Sequence, residues 1–330
     1  MATPPVGVTH EPRWKRLPII WHLRHSVGLQ RGMLVAGLLI SAMFILVAVL
    51  APVIAPYGFS QLSGPDGSFP RQAAPSSEFL WGTTVGGYDV FSRVVWGTQT
   101  ALLTVVLAVI ASIFLGVALG LVSGYLGGWL DRVLVMIADA IYAFPSLLLA
   151  IVVSIIISGG QSSFWGGIAA AAVSITVVFV PQYFRVVRAE TVRLKAEPFV
   201  ESARVLGAPT SRILGTHVLR NATRSLPLIV TLNASEAILT LAGLGFLGFG
   251  INPTIAAEWG YDLNRAVADV ASGIWWTGIY PGVAIVLLVM GITLVGESLN
   301  DLADPRLRIR RAAKRRPAPA AGVTETKGAP

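Results

Sequence analysis

The chain has 330 residues, 54% hydrophobic and only 13% charged, with a mean hydropathy of +0.69. That is too apolar and too sparsely charged for a soluble protein of this length, so the chain belongs in a bilayer. There is no cysteine, which excludes disulfides, thiolate nucleophiles and thiolate metal sites, and the net charge of +8 sits in alternate loops between apolar spans, a topology signal rather than a nucleic-acid footprint.

Residues 1–32 carry Arg13, Lys15, Arg16, Arg24 and Arg31, with Trp14, Leu17, Ile20, Trp21 and Leu23 between them. This pattern suits an interfacial helix lying on an anionic leaflet and predicts a cytoplasmic segment. A cleavable signal peptide is the competing reading. The apolar run, however, begins only at residue 33, extends about twenty residues and continues into Pro52 without a small-residue cleavage site.

Apolar spans follow at 33–55, 99–123, 133–158, 164–184, 226–250 and 276–297, each long enough to cross a hydrocarbon core of ~30 Å as a helix. Six crossings place both termini on one side. With that topology all but three of the 25 Lys and Arg share the side of the termini, leaving Arg71, Arg93 and Arg265 opposite, so both termini are expected in the cytoplasm. The predicted organisation is an N-terminal segment 1–32, a first transmembrane helix 33–55, an external loop 56–98, a core 99–300 with five further transmembrane helices, and a basic then Pro/Ala-rich tail 301–330.

One long polar island interrupts the core at 185–225. Pro198 suits a first helical position, Phe199, Ala203 and Leu206 fall at i, i+4, i+7, and Gly207 suits the residue past a helix end, so 198–206 is predicted as a short amphipathic helix. Glu201 could pair with Arg204, three residues on. Ala208-Pro209-Thr210 turns the chain, Thr210 can cap the next helix, and Ile213 with His217 and Leu214 with Val218 recur at i, i+4. Two helices about a turn could read DNA, which a membrane-embedded host disfavours, or could form a solvated basic loop.

The pattern Glu201-Ser202-Ala203, Gly207, Ile213 and His217 resembles the EAA loop of permease subunits of bacterial ABC importers. One departure is Arg220, where the family usually has Pro, so the second helix is expected to run on without a break there. Other blocks resemble the C-type permeases of dipeptide, oligopeptide and nickel importers. Gly82, Thr83, Gly87, Asp89, Ser92 and Arg93 match the stretch before their second span, with Thr84 and Tyr88 replacing an Asp and an Arg. Gly127 to Arg132, Asp139 with Phe144-Pro145, Leu244 to Gly250, Glu258-Trp259-Gly260, Trp275-Trp276, Pro281-Gly282 and Asp301 to Arg306 follow in order.

The resemblance covers roughly residues 30–310 and implies an all-α membrane protein of six transmembrane helices with the type I ABC importer permease fold. It implies a cytoplasmic coupling loop, a second homologous (B-type) permease, two ATPase subunits that bind ATP and Mg, and an extracytoplasmic substrate-binding protein. Peptides are the leading substrate class, with nickel chelates, glutathione and haem carried by relatives. No cofactor, metal or nucleic acid is expected on this chain.

Chemistry in cis is disfavoured. His10, His22, His25 and His217 all fall outside the apolar spans, there is no HExxH, and none of Lys15, Lys195, Lys314 and Lys327 follows a glycine as a phosphate-binding loop requires. Energy must come from another chain or from an ion gradient. An ion-coupled secondary transporter is therefore the alternative, for which Asp139 and Glu236 are the intramembrane acids.

Pro145 within an apolar span predicts a bend, and Asp139, Pro145 and Glu236 are the candidate translocation path. The family more often has its acid at the position of Leu241, ~140° away around a helix. Glu236 is read either as a neutral side chain bonded to Asn233, Ser235 or a neighbouring permease, or as an acid lining the cavity.

Overall fold

The computed structural model describes residues 29–303, apart from residue 66 and residues 158–162. The expected interfacial helix before residue 29 and the tail beyond residue 303 lie outside the described residues. In chain order the helices are α1 (Leu29–Ile54), α2 (Val90–Leu126), α3 (Gly128–Tyr142), α4 (Ser146–Ile157), α5 (Phe164–Lys195), α6 (Pro198–Val205) and α7 (Thr210–Arg212). A π-helical stretch Ile213–Val218 follows, then α8 (Leu219–Ala222), α9 (Leu226–Phe246), α10 (Trp259–Ala271) and α11 (Trp276–Ala303). Regular sheet among the described residues is one antiparallel pair, β1 (Ser63–Gly64) with β2 (Gly67–Ser68).

Five helices, α1, α2, α5, α9 and α11, are long and apolar enough to cross a membrane, and α3 with α4 makes a sixth span if the bent pair is counted as one. The centre is α2 against α5. Gly116, Gly120 and Gly124 recur every four residues along α2, and a Cβ on Gly120 would lie 2.8 Å from the carbonyl oxygen of Phe184. Small residues let the two backbones approach closely, which is how helices gain packing energy where lipid removes the hydrophobic drive. Tyr183 and Val187 of α5 are fully buried in this seam.

The predicted third span, 133–158, is not one helix. It breaks between Tyr142 and Ser146, where the chain bends by 100°. Pro145 lies at the break rather than inside a helix: a proline disfavours the helical conformation in the residue before it, and the Pro145 carbonyl accepts the Leu149 N–H (3.0 Å) to start α4. Hydropathy runs straight through this point, so the span read as continuous.

The second and fourth spans are longer than predicted for the opposite reason, that their polar ends are satisfied by protein. α2 begins at Val90, not 99, where the Asp89 carboxylate accepts the Ser92 N–H at 2.8 Å as an N-cap. Buried Arg93 donates from Nε to both Asp262 oxygens (2.7 and 2.9 Å) and from Nη1 to the Phe59 carbonyl (2.9 Å). α5 continues past 184 to Lys195, and α9 stops at Phe246 rather than 250.

Helix α10, which periodicity alone did not suggest, closes the end of the bundle formed by residues 55–89 and 247–275. Glu258 caps its start by accepting the Gly260 N–H (3.0 Å), and Trp259 Nε1 donates to the Val94 carbonyl (3.0 Å). Gln72 Nε2 donates to Asp269 (2.7 Å), Trp276 Nε1 to the Thr83 carbonyl (3.2 Å), and Trp81 stacks on Tyr280 with centroids 4.3 Å apart. The polar island lies at the other end.

Candidate functional site

Helix α6 starts with Pro198 as its first residue and seats itself through Val200, which is fully buried, with Ala203 partly so. The apolar face expected from Phe199, Ala203 and Leu206 is therefore not the seated one. Val205 and Leu206 are 82% and 86% exposed, and Phe199 is exposed beside the His217 ring, with centroids 6.4 Å apart. About two turns of helix hold too few residues for periodicity to tell a packed face from a presented one.

Glu201 and Ser202 are also exposed; the Ser202 hydroxyl donates back to the Pro198 carbonyl (2.8 Å). Gly207 ends the helix with φ of +78°, and the Ala208 N–H closes the turn on the Ala203 carbonyl at 3.0 Å. Nothing lies within 4 Å of a Cβ built on Gly207, so the requirement for glycine here is conformational rather than steric.

The segment after the turn departs from prediction in two ways. Thr210 is inside the helix rather than its cap; Pro209 holds that position, with no side-chain cap bond. The helix then widens to π over Ile213–Val218, which puts Ile213 and Val218, five apart, into the core together, in place of the predicted i, i+4 pairs. It runs through Arg220 to Ala222 without a break, as the missing proline predicts.

Arg204 does not pair with Glu201. Its guanidinium lies over the Tyr125 ring, 6.0 Å from the centroid, with Nη2 3.4 Å from the hydroxyl, while Lys195 Nζ donates to the Tyr125 carbonyl at 2.6 Å. Tyr125 thus joins α6, the end of α5 and the end of α2. Next to it, Arg188 of α5 holds Asp131 of α3 through two hydrogen bonds, and the Ser123 hydroxyl donates to the same carboxylate. Two turns along α3, Asp139 pairs with Arg185 at 2.6 Å, and that guanidinium sits 4.4 Å above the Tyr142 ring. Half-helix α3 is therefore tied to α5 at two points between the island and the break.

At the break is a pocket of about 250 Å³ whose polar lining is Tyr142, Ser146, Gln182 and Glu236, with Phe144 and Phe179 among its apolar walls. Glu236 is exposed, and among the described residues its carboxylate makes no hydrogen bond or ion pair. Neither neighbour proposed for it is used: Ser235 bonds the Thr231 carbonyl and the Thr293 hydroxyl, and the amide of buried Asn233 makes no bond to the Glu236 carboxylate. The structure brings Glu236 and the segment around Pro145 together, whereas Asp139 lies outside the pocket lining, in its pair with Arg185. Sequence reasoning missed Gln182 and Tyr142, which carry no charge inside apolar runs. It counted Arg185 and Arg188 only as members of the basic island.

Comparison with known proteins places these features in context. The family described as "Binding-protein-dependent transport system inner membrane component" matches residues 116–309. A dipeptide transport system permease protein of Alkalihalophilus pseudofirmus is 33% identical over 274 residues, covering 83% of this chain and 86% of its own. A glutathione transport system permease protein of Salmonella typhimurium is 38% identical over 279 residues, covering 84% and 88%. One of the same description from Escherichia coli O6 is 34% identical over 288 residues, covering 87% and 91%.

Proposed function

This chain belongs to the family of binding-protein-dependent transport system inner membrane components, as a multi-pass permease subunit of an ABC importer, and we propose from that premise that it carries peptides across the cytoplasmic membrane. It does so beside a second, B-type permease, with both termini in the cytoplasm. An extracytoplasmic binding protein delivers substrate at the end closed by α10. Two ATPase subunits dock on the polar island, and they, rather than this chain, bind ATP and Mg and hydrolyse the nucleotide.

The observation that carries the reading is the exposed tip of α6. Val205 and Leu206, more than four-fifths exposed beside the Gly207 turn, offer an apolar knob on a helix rigidly seated by Val200 and Tyr125. Glu201, Ser202, Ala203 and Gly207, with Ile213 and His217 behind them, form the surface that meets the ATPases. Closure of the ATPases pushes α6, and the push reaches the broken span through Tyr125, the Asp131–Arg188 pair and α3. A switch of this kind requires differential contacts in two states, which a seated helix with a presented tip can supply.

The test is reconstitution of the importer in proteoliposomes with ATP enclosed. ATP-dependent uptake of Ala-Ala, lost when Leu206→Asp removes ATPase co-purification, is expected. Uptake driven by a proton or sodium gradient without the ATPases would establish the ion-coupled alternative instead.

A further inference from the structure

The pocket at the helix break has a chemistry that nothing in the coupling machinery uses. Glu236 sits at the middle of α9, where an ionised side chain is costly unless it faces water or a partner. It faces the pocket, and its carboxylate has no partner among the described residues. Arg185, one turn along α5 from Gln182, is committed to Asp139 and to the face of Tyr142. The lining is therefore left with one uncompensated negative charge, the amide of Gln182 and the hydroxyls of Tyr142 and Ser146 as further acceptors, and the aromatic wall of Phe144 and Phe179. The volume, about 250 Å³, holds one end of a short peptide rather than a whole oligopeptide.

We propose that this pocket is a station for a primary ammonium group, with Glu236 as counter-ion and Gln182 as the residue that orients it, so that the permease itself selects peptides with a free amino terminus. This rests on the reading of the chain as a peptide permease and adds a specificity determinant within the membrane. A free amino terminus carries the positive charge that completes an ion pair with the carboxylate, which an uncharged acetylated one cannot form.

The experiment uses the assembled importer in nanodiscs without its binding protein, titrated with millimolar Ala-Ala or N-acetyl-Ala-Ala and followed by thermal unfolding. Ala-Ala should raise the melting temperature in a concentration-dependent way and the acetylated peptide should not. Glu236→Gln should remove the shift, and Gln182→Leu should weaken apparent affinity about tenfold. Because the shift is a difference within each variant, a purely structural role for Glu236 would lower the baseline and leave the shift unchanged, which overturns the proposal. Equal shifts by the two peptides, or none by Ala-Ala, overturn it as well. ATP-driven uptake of Ala-Ala in the wild-type importer reports separately on the peptide-permease reading, so the two can fail independently.

Discussion

Arg93 and Asp262, 169 positions apart in the chain, form a buried ion pair in which Nε lies 2.7 and 2.9 Å from the two carboxylate oxygens. It fastens α10 to the start of α2. Removing one partner strands a buried charge, so Arg93→Leu should destabilise the complex by about 3–5 kcal/mol, whereas Arg93→Leu with Asp262→Leu should recover much of that loss. Thermal unfolding of the purified complex tests the order. A double variant as damaged as the single one would mean that the Phe59 carbonyl contact, not the pair, is what matters.

The Asp131–Arg188 pair at the opposite end is less buried and should behave differently. Arg188→Ala should cost only about 1 kcal/mol of stability. Because the pair lies between α6 and the broken span, it should nevertheless lower transport per ATP hydrolysed. Exchanging the charges, Asp131→Arg with Arg188→Asp, should restore part of the coupling. An unchanged ratio of transport to hydrolysis in Arg188→Ala would remove α3 from the transmission route.

How far the sequence could be read follows from where each signal is stored. Span number, the broad position of the polar island and the glycine at 207 depend on hydropathy and on backbone geometry, both local, and they were legible. The start of α2 was not, because Ser92 and Arg93 look solvated until Asp89 and Asp262 satisfy them. The break at Pro145 was expected only as a bend, since proline leaves the angle to be decided by packing. The pocket was half legible: Glu236 stands out as a charge in an apolar run, while Gln182 and Tyr142 become polar partners only when α3 and α5 meet.

Gly207 permits a graded test of the turn. Its φ of +78° favours glycine, and no neighbour crowds a Cβ there. Asparagine should be tolerated best, alanine should cost about 1 kcal/mol, and valine should cost most because its branched Cβ resists this conformation. Transport should fall in the order Asn, Ala, Val with normal membrane insertion in all three. A size-dependent order with asparagine worse than alanine would point to a hidden steric contact with a partner.

The orientation can be settled by labelling, since the chain has no cysteine to confuse the result. A cysteine at Ser68 should react with an impermeant maleimide added to intact cells, and one at Thr210 should react only after the membrane is opened. Both positions are exposed, so failure to label would not be a matter of burial. Labelling of position 210 from outside would place the polar island on the wrong side for ATPase docking.

Glu258 gives the loop end of the bundle a pH dependence. Burial is the main cause that pushes its carboxyl up to about 8, with Asp262 adding repulsion, while the Gly260 and Tyr261 N–H groups and Arg93 pull the other way. One oxygen accepts the Gly260 N–H; the other has no partner and lies against Gly245 and Gly250. Between about 4.5, the value in the unfolded chain, and about 8, the folded protein holds a proton that the unfolded chain has released. Stability must therefore fall as pH rises through that window and level off above it. Asp262, also raised by burial, contributes in the same sense. Glu258→Gln keeps the shape and the acceptor for Gly260 but cannot ionise, so its melting temperature should fall less steeply than wild type from about pH 5 to about pH 8, with the two curves parallel above that. Wild-type steepness in the variant would assign the slope to Asp262 and Asp89, both also raised by burial, and leave Glu258 as a cap alone.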